Sequence, residues 1–477
     1  MSAQQSPLSL DAAPLTVCDI EQVARHARPV SLGPVATRKL SDSHNLLRSA
    51  IDSGATIYGV NTGFGSLSRQ RISDADLKDV QRNLIRSHAA GVGDPLPDET
   101  VRAMLLLLVA SLCRGCSGVR PVVAETITQL LNADITPIVP SIGSVGASGD
   151  LAPLAHAALV LIGEGRARVN GREADGAEAL RAASIKPLEL HAKEGLALIN
   201  GTHLMAAQAA LLLPDLDRLV DAALCACAMS IDACRGTDSF LDPRVHVARN
   251  QLGPARVAAR LNTFLGAGGP GASEIIPSHA ENDPRVQDPY SLRCAAPVLG
   301  AALDTIDHAR RVIERELGAV TDNPLILAPT AEHTDIAVSA GNFHGMPIAL
   351  PLDHVAVALT HVAGIAERRV FYMLAASDPE MHLRPYLSPV PGLHSGLMIT
   401  QYTAAACVNE LITLSTPASV SNIPTSAGME DYNSFGPRAA AKARRALELT
   451  THVVAIELLC AAEAIEHHRP LKSGHAI

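Results

Sequence analysis

Gly143-Ser144-Val145-Gly146-Ala147-Ser148-Gly149-Asp150-Leu151-Ala152-Pro153 is the stretch from which the fold is read. Ser148 stands between two small residues, and two further glycines precede them. A helix-like apolar pattern then begins at Leu151 and continues through Leu154, Ala158 and Ile162. Asp150 and Pro153 suit the first turn of that helix. A carboxylate favours the positive helix end, and proline lacks the N–H that would be orphaned there. Ala147-Ser148-Gly149 is therefore expected in a tight turn, poor in side chains, where backbone approaches backbone closely. A bare Ala-Ser-Gly reads most simply as a glycine-rich cap that binds an anion or ends a loop.

The full string is more specific. It resembles the self-processing segment of the histidine and phenylalanine ammonia-lyase family. There, Ala-Ser-Gly cyclises and loses water to give 4-methylidene-imidazol-5-one (MIO), an electrophile made from the chain itself. The residue types suit that chemistry. Glycine leaves its amide nitrogen free to attack the alanine carbonyl, and serine supplies the hydroxyl that is eliminated. The resemblance thus implies an MIO formed from Ala147, Ser148 and Gly149, with no external cofactor and no metal.

Working outward, the composition agrees with a helical body. Apolar residues make up 47% of the 477 but aromatics only 3%, with no Trp. The core must be Ala, Leu and Val, which favours long helices over sheets. By length alone the chain could hold about three domains. No repeat or low-complexity linker divides it, so one mostly helical domain over 1–477 is expected. Residues 1–200 would carry the tyrosine loop and the self-processing segment, and 200–477 a long-helix bundle. A formal net charge of −9 without a basic run makes nucleic acid and anionic membrane poor partners. The apolar run 103–113 is too short to span a bilayer. Met1-Ser2-Ala3-Gln4-Gln5 lacks the basic start of a signal peptide, so a cytoplasmic enzyme is expected.

Other motifs reduce to plain readings. Cys113-Arg114-Gly115-Cys116 matches C-x-x-C without a second pair, and packing is the better role. The G-x-G-x-x-G match at 266–271 follows a helix rather than a strand and carries Pro270, against a dinucleotide site. His467-His468 reads as a solvated tail pair. Helices are expected over 35–53, 75–90, 98–117, 119–133, 192–235 as one long or broken helix, 288–318 with a kink near Pro297, 347–375, 396–414 and 437–465. Asn170-Gly171 signals a small hairpin.

Further segments match the same family in its order, from about residue 35 to 465. Tyr58-Gly59-Val60-Asn61-Thr62-Gly63-Phe64-Gly65 resembles the inner loop that brings a tyrosine over the substrate. Asn200-Gly201-Thr202 resembles the asparagine beside the imidazolone. Gln287-Asp288-Pro289-Tyr290-Ser291-Leu292-Arg293 resembles the substrate clamp, and Gly341-Asn342-Phe343-His344 a wall of the site. The resemblance implies an all-α long-helix bundle of the ammonia-lyase and fumarase-like type, with active-site loops at the helix ends. It also implies a homotetramer whose sites draw on several subunits. Tyr58 would take the β-proton once its pKa is depressed, with Tyr290 as a supporting hydroxyl. Arg293 offers the fork that grips a carboxylate bidentately, beside Gln287.

Substrate choice turns on two residues. Ser87-His88 stands where histidine and tyrosine lyases have such a pair and phenylalanine enzymes an apolar one. Glu430, in Thr425-Ser426-Ala427-Gly428-Met429-Glu430-Asp431, matches the glutamate of histidine lyases, where the others carry glutamine. A carboxylate facing a benzene ring would be buried without a partner, at a cost of about 1–3 kcal/mol, whereas an imidazole N–H satisfies it. The expected reaction is elimination of ammonia from L-histidine to give trans-urocanate. A tyrosine or phenylalanine lyase, or a 2,3-aminomutase, is the alternative on the same scaffold. A non-catalytic helical homologue would have no need of the triad. Departures from the histidine pattern are Met429 for Gln, Tyr432 for His, His203 for Gln, His394 for Asn, and Cys294-Ala295-Ala296-Pro297 without the usual Pro-Gln. The chain also stops earlier than such enzymes, so one or two C-terminal helices are expected to be missing.

Overall fold

The computed structural model describes residues 6–57, 59–62, 72, 76–266, 269–279 and 283–477. Helices dominate it, and the strands are two to four residues long. Two compact units share the chain. One comprises Met1–Leu213, Arg311–Leu350 and Ala418–Ala441; the other comprises Pro214–Arg310, Pro351–Pro417 and Lys442–Ile477.

The first unit is built around Asp98–Leu112, a helix buried from Thr100 onward because nearly every position in its second half is apolar. Val17–His26 and Pro121–Asn132 pack on it. A second group forms where Leu77–His88, Leu151–Leu161 and Glu194–Ile199 pack on one another. That trio matters for function, because it draws residues 88, 148 and 200 to neighbouring helix ends. The predicted hairpin is present: Arg166–Val169 pairs antiparallel with Arg172–Asp175 across Asn170 and Gly171, at φ 49° and 76°, and Ile135–Pro137 adds a third strand.

The second unit is a bundle of long helical segments. Residues from the 203–233, 252–265, 295–316 and 346–375 helices close around one small apolar cavity lined by Leu224, Val257, Ile306 and Leu359. The Met346–Ala375 helix has a mean hydropathy of 1.5 over its most apolar window and is long enough to cross a membrane. Val355, Leu359, Ala366 and Val370 on it are buried, so the apolarity serves the core. Arg369 on the same helix is wholly buried and meets Glu457 at 2.5 and 2.9 Å. Glu457 also accepts the Ser230 hydroxyl at 2.7 Å, so neither charge is left bare.

Several expectations need correction. The helix expected over 98–117 ends at Leu112, before Gly115 and Gly118, both at positive φ. The run 192–235, read as one long or broken helix, is the broken form: Glu194–Ile199 and His203–Ala233 are parted by Asn200-Gly201-Thr202. The run 288–318 breaks at Cys294 into Tyr290–Arg293 and Ala295–Glu316. Pro297 then falls in a first turn, where its missing N–H costs no bond and no kink is called for. His468 is not solvated: it is buried, with Nε2 2.8 Å from the Ala233 carbonyl.

Candidate active site

Residues 147–150 and 200–201 run side by side. The Asp150 amide donates to Gly201 O at 2.7 Å, the Gly201 amide to Ser148 O at 3.3 Å, and Asn200 Nδ2 to Ser148 O at 2.8 Å. Gly149 has φ +75°, and a Cβ there would collide with the Gly201 carbonyl. Gly201 has φ +134°, and its Cβ would meet the His203 ring and the Thr321 hydroxyl. Only glycine at both positions allows this approach. The self-processing segment thus lies on a shelf that it shares with the break between two helices.

Asp150 stands at the start of the Leu151–Leu161 helix, as the sequence suggests, but its side chain accepts no hydrogen bond from that helix. Its Oδ2 instead accepts the Leu204 and Met205 amides at 2.9 and 3.0 Å, the orphan donors opening the His203–Ala233 helix. Ser144 Oγ donates to its Oδ1 at 3.1 Å. The carboxyl is fully buried, and burial outweighs those three bonds to raise its pKa to about 7. The residue that would ordinarily cap that helix, Thr202, donates its hydroxyl to Glu316 at 2.6 Å. Burial likewise raises Glu316. Lys193, also fully buried, is lowered by burial and holds Asp322 at 2.5 Å. His203 is driven down to about 4 by burial, so its ring is neutral at pH 7. Neither of its nitrogens has a partner among the described residues.

Above the shelf opens a cavity of roughly 870 Å³ within the first unit, in the ~300–1,000 Å³ range usual for small-molecule sites. Ala147, Ser148 and Asn200 line its floor; His88, Phe343, His344, Glu430 and Tyr432 line its walls. His88 closes the Leu77–His88 helix, and its Nδ1 lies 2.8 Å from the Leu84 carbonyl. A carbonyl can only accept, so Nδ1 carries a proton. Glu430 sits at the end of a six-residue turn. Its Oε1 accepts the Ser148 hydroxyl at 3.2 Å and its Oε2 the Thr425 hydroxyl at 2.7 Å. His344 donates from Nε2 to the Tyr432 carbonyl at 3.1 Å and stacks on the Tyr432 ring, with centroids 6.4 Å apart.

The cavity therefore brings together His88, Ala147, Ser148, Asn200, Phe343 and Glu430, with Gly149 directly beside them. Gln287, Tyr290 and Arg293 do not line it and belong to the second unit. Tyr290 is 70% exposed there, and the Arg293 guanidinium lies 4.5 Å from its ring centroid. Tyr58 lies outside the described residues. Asn323 and Ser339 also line the cavity and were not singled out from the sequence. Asn323 Oδ1 accepts the Ala340 amide at 2.7 Å, within a stretch whose irregular sequence carries no periodic signal.

The sequence model of the aromatic amino acid lyase family matches residues 15–477. The chain belongs to this family. It is 45% identical over 468 residues to histidine ammonia-lyase of Stigmatella aurantiaca, covering 98% of this chain and 89% of that protein. Histidine ammonia-lyase of Koribacter versatilis is also 45% identical, with 98% and 90% covered. Among solved structures, histidine ammonia-lyase from Trypanosoma cruzi superposes with TM-score 0.89 at 35% identity, covering 98% of this chain and 87% of that one. Tyrosine aminomutase from Streptomyces globisporus gives TM-score 0.89 at 34% identity, covering 98% and 89%. The all-α ammonia-lyase fold expected from the sequence is the fold of this chain.

Proposed function

We propose that this aromatic amino acid lyase is a histidine ammonia-lyase, converting L-histidine to trans-urocanate and ammonia. The observation that carries the choice of substrate is Glu430, whose carboxylate enters the cavity within reach of Ser148 and shares its walls with His88. Such a carboxylate asks for a hydrogen-bond donor, which imidazole offers and a benzene ring does not. The relatives at 45% identity over nearly the whole chain carry the same name.

The shelf fits an MIO made in place. Gly149 has no side chain to obstruct cyclisation, Asn200 Nδ2 grips the Ser148 carbonyl, and the Asn200 Oδ1 is buried without a partner among the described residues. When formed, that group supplies an electrophile on the floor of the cavity. The chain's own groups do the rest. Glu430 and His88 orient the imidazole, and the buried shelf keeps water from the reacting face. Tyr58 takes the β-proton, Arg293 pairs with the carboxylate beside Gln287, and Tyr290 adds a hydroxyl. Loss of the β-proton and the amine leaves the conjugated acid, so atoms and charge balance. By the family resemblance the site draws on several subunits of a homotetramer, and residues 287–293 are assigned to the site of another subunit. Nine free thiols and a small amino acid substrate fit a cytoplasmic enzyme.

Glu430→Gln tests the reading. Losing a charge-assisted bond costs about 1.5–3 kcal/mol, so kcat/KM for histidine should fall about ten- to a hundred-fold while that for tyrosine holds or rises. A tyrosine preference in the unaltered enzyme, unchanged by Glu430→Gln, would assign it to the tyrosine lyases or aminomutases.

A further inference from the structure

Glu430 divides its two oxygens. Oε1 faces Ser148, whose hydroxyl is the one eliminated when the self-processing segment matures, so that oxygen is then open to the cavity. Oε2 stays bonded to Thr425 Oγ1 at 2.7 Å. We infer that Thr425 is a positioning residue for substrate recognition: its hydroxyl pins one carboxylate oxygen and thereby aims the other at the imidazole. The inference rests on the reading of Glu430 given above.

The turn is built for this. Thr425 and Glu430 pair antiparallel, amide to carbonyl in both directions, at 2.9 and 3.3 Å. Ser426, Ala427 and Gly428 between them all have positive φ, so the chain reverses within three residues and returns Glu430 to Thr425. The hydroxyl's direction is also set. Asn433, itself buried, donates from Nδ2 to the Ile423 carbonyl at 2.7 Å and more weakly to Thr425 Oγ1 at 3.5 Å. With that lone pair occupied, the Thr425 proton points toward Glu430. Asn422 braces the far side, donating to the Asp431 carbonyl at 2.6 Å and accepting the Asn433 amide at 2.9 Å. A half-buried glutamate on a loop would otherwise sample several rotamers, each placing its charge differently.

The test is a double-mutant cycle on the full-length enzyme, reading kcat/KM for histidine. Thr425→Val keeps the shape and removes the donor, and should lower the value about tenfold; Thr425→Ser keeps the donor and should stay within about threefold. In a Glu430→Gln background, Thr425→Val should change the value by less than about twofold, since the residue acts only through the carboxylate. Intact mass and thermal midpoint show whether each variant matures and folds, and Thr425→Ala replaces the valine variant should that one not fold. An unimpaired Thr425→Val, or an equal loss in both backgrounds, overturns the positioning role. A Glu430→Gln enzyme that handles histidine normally instead removes the underlying reading of Glu430, so the two failures are told apart.

Discussion

Residues 143–150 lie against 200–205 with their backbone paired, their glycines in contact and the Asp150 carboxyl fully buried, whereas residues 283–293 order themselves and leave Gln287 and Tyr290 exposed. In the second stretch Arg285 pairs with Asp283 at 2.7 Å, and Asp288 accepts the Thr237 amide and hydroxyl at 2.7 and 2.9 Å. Arg293 donates from Nε to the Asp288 carbonyl at 2.8 Å, and Tyr290 beside it is largely exposed. The difference is one of completeness. Cyclisation needs atoms of neighbouring residues forced together, which a single chain does best by excluding side chains and water. On the function proposed above, gripping a carboxylate needs only a fork held at the right height, which another subunit would supply. The comparison can be broken at either end.

The largest effect is expected on the shelf. The mature protein should weigh less than its sequence by two molecules of water, and Ser148→Ala should restore the full mass at that segment. The variant should lose about a thousandfold or more in kcat, the scale seen when a group acting in the transition state is removed. Full sequence mass in an active wild-type protein would contradict a shelf built for cyclisation.

Next is the division of labour between chains. Ser148→Ala and Arg293→Ala proteins should each be nearly inactive. Mixed under conditions of subunit exchange they should regain activity, up to about a quarter of the wild-type level, since some hybrid sites combine an intact shelf with an intact clamp. No recovery after exchange verified by mass spectrometry would place residue 293 with its own chain's shelf.

The smallest effect concerns Asp150 and pH. Folded, its carboxyl holds a proton up to about pH 7; in the unfolded chain it gives it up near pH ~4. The folded pKa is the raised one, so its contribution to stability is fully present below about pH 4 and lost as pH rises through about 7. Across that window it should lower stability by up to about 1.4 kcal/mol per pH unit. Asp150→Asn keeps an acceptor for the Leu204 and Met205 amides and should flatten that slope in thermal melts. Equal slopes in the two proteins would mean the carboxyl is already ionised in the folded state.

What the sequence made legible was local. Gly149 and Gly201 stand out because turn chemistry is written in adjacent residues, and His88 because a helical pattern ends on it. Glu430 was found through its family motif, and its contact with Ser148 spans 282 positions that no local pattern encodes. The same limit hid the role of Asp150. Its position at a helix start was legible from the sequence, while the amides it accepts lie 54 and 55 residues on. The alanine- and leucine-rich run 192–235 reads as one long or broken helix, and the close approach of Gly201 to Gly149 explains why it breaks at Asn200. His468 looked solvated because its partner carbonyl is 235 residues away.

The most direct measurement is of product. Purified protein is incubated separately with L-histidine, L-tyrosine and L-phenylalanine, and each reaction is followed for the conjugated acid and for free ammonia. The account predicts urocanate and an equal amount of ammonia from histidine, at a rate well above either other substrate. Coumarate or cinnamate as the main product, or a β-amino acid without net ammonia, would contradict it.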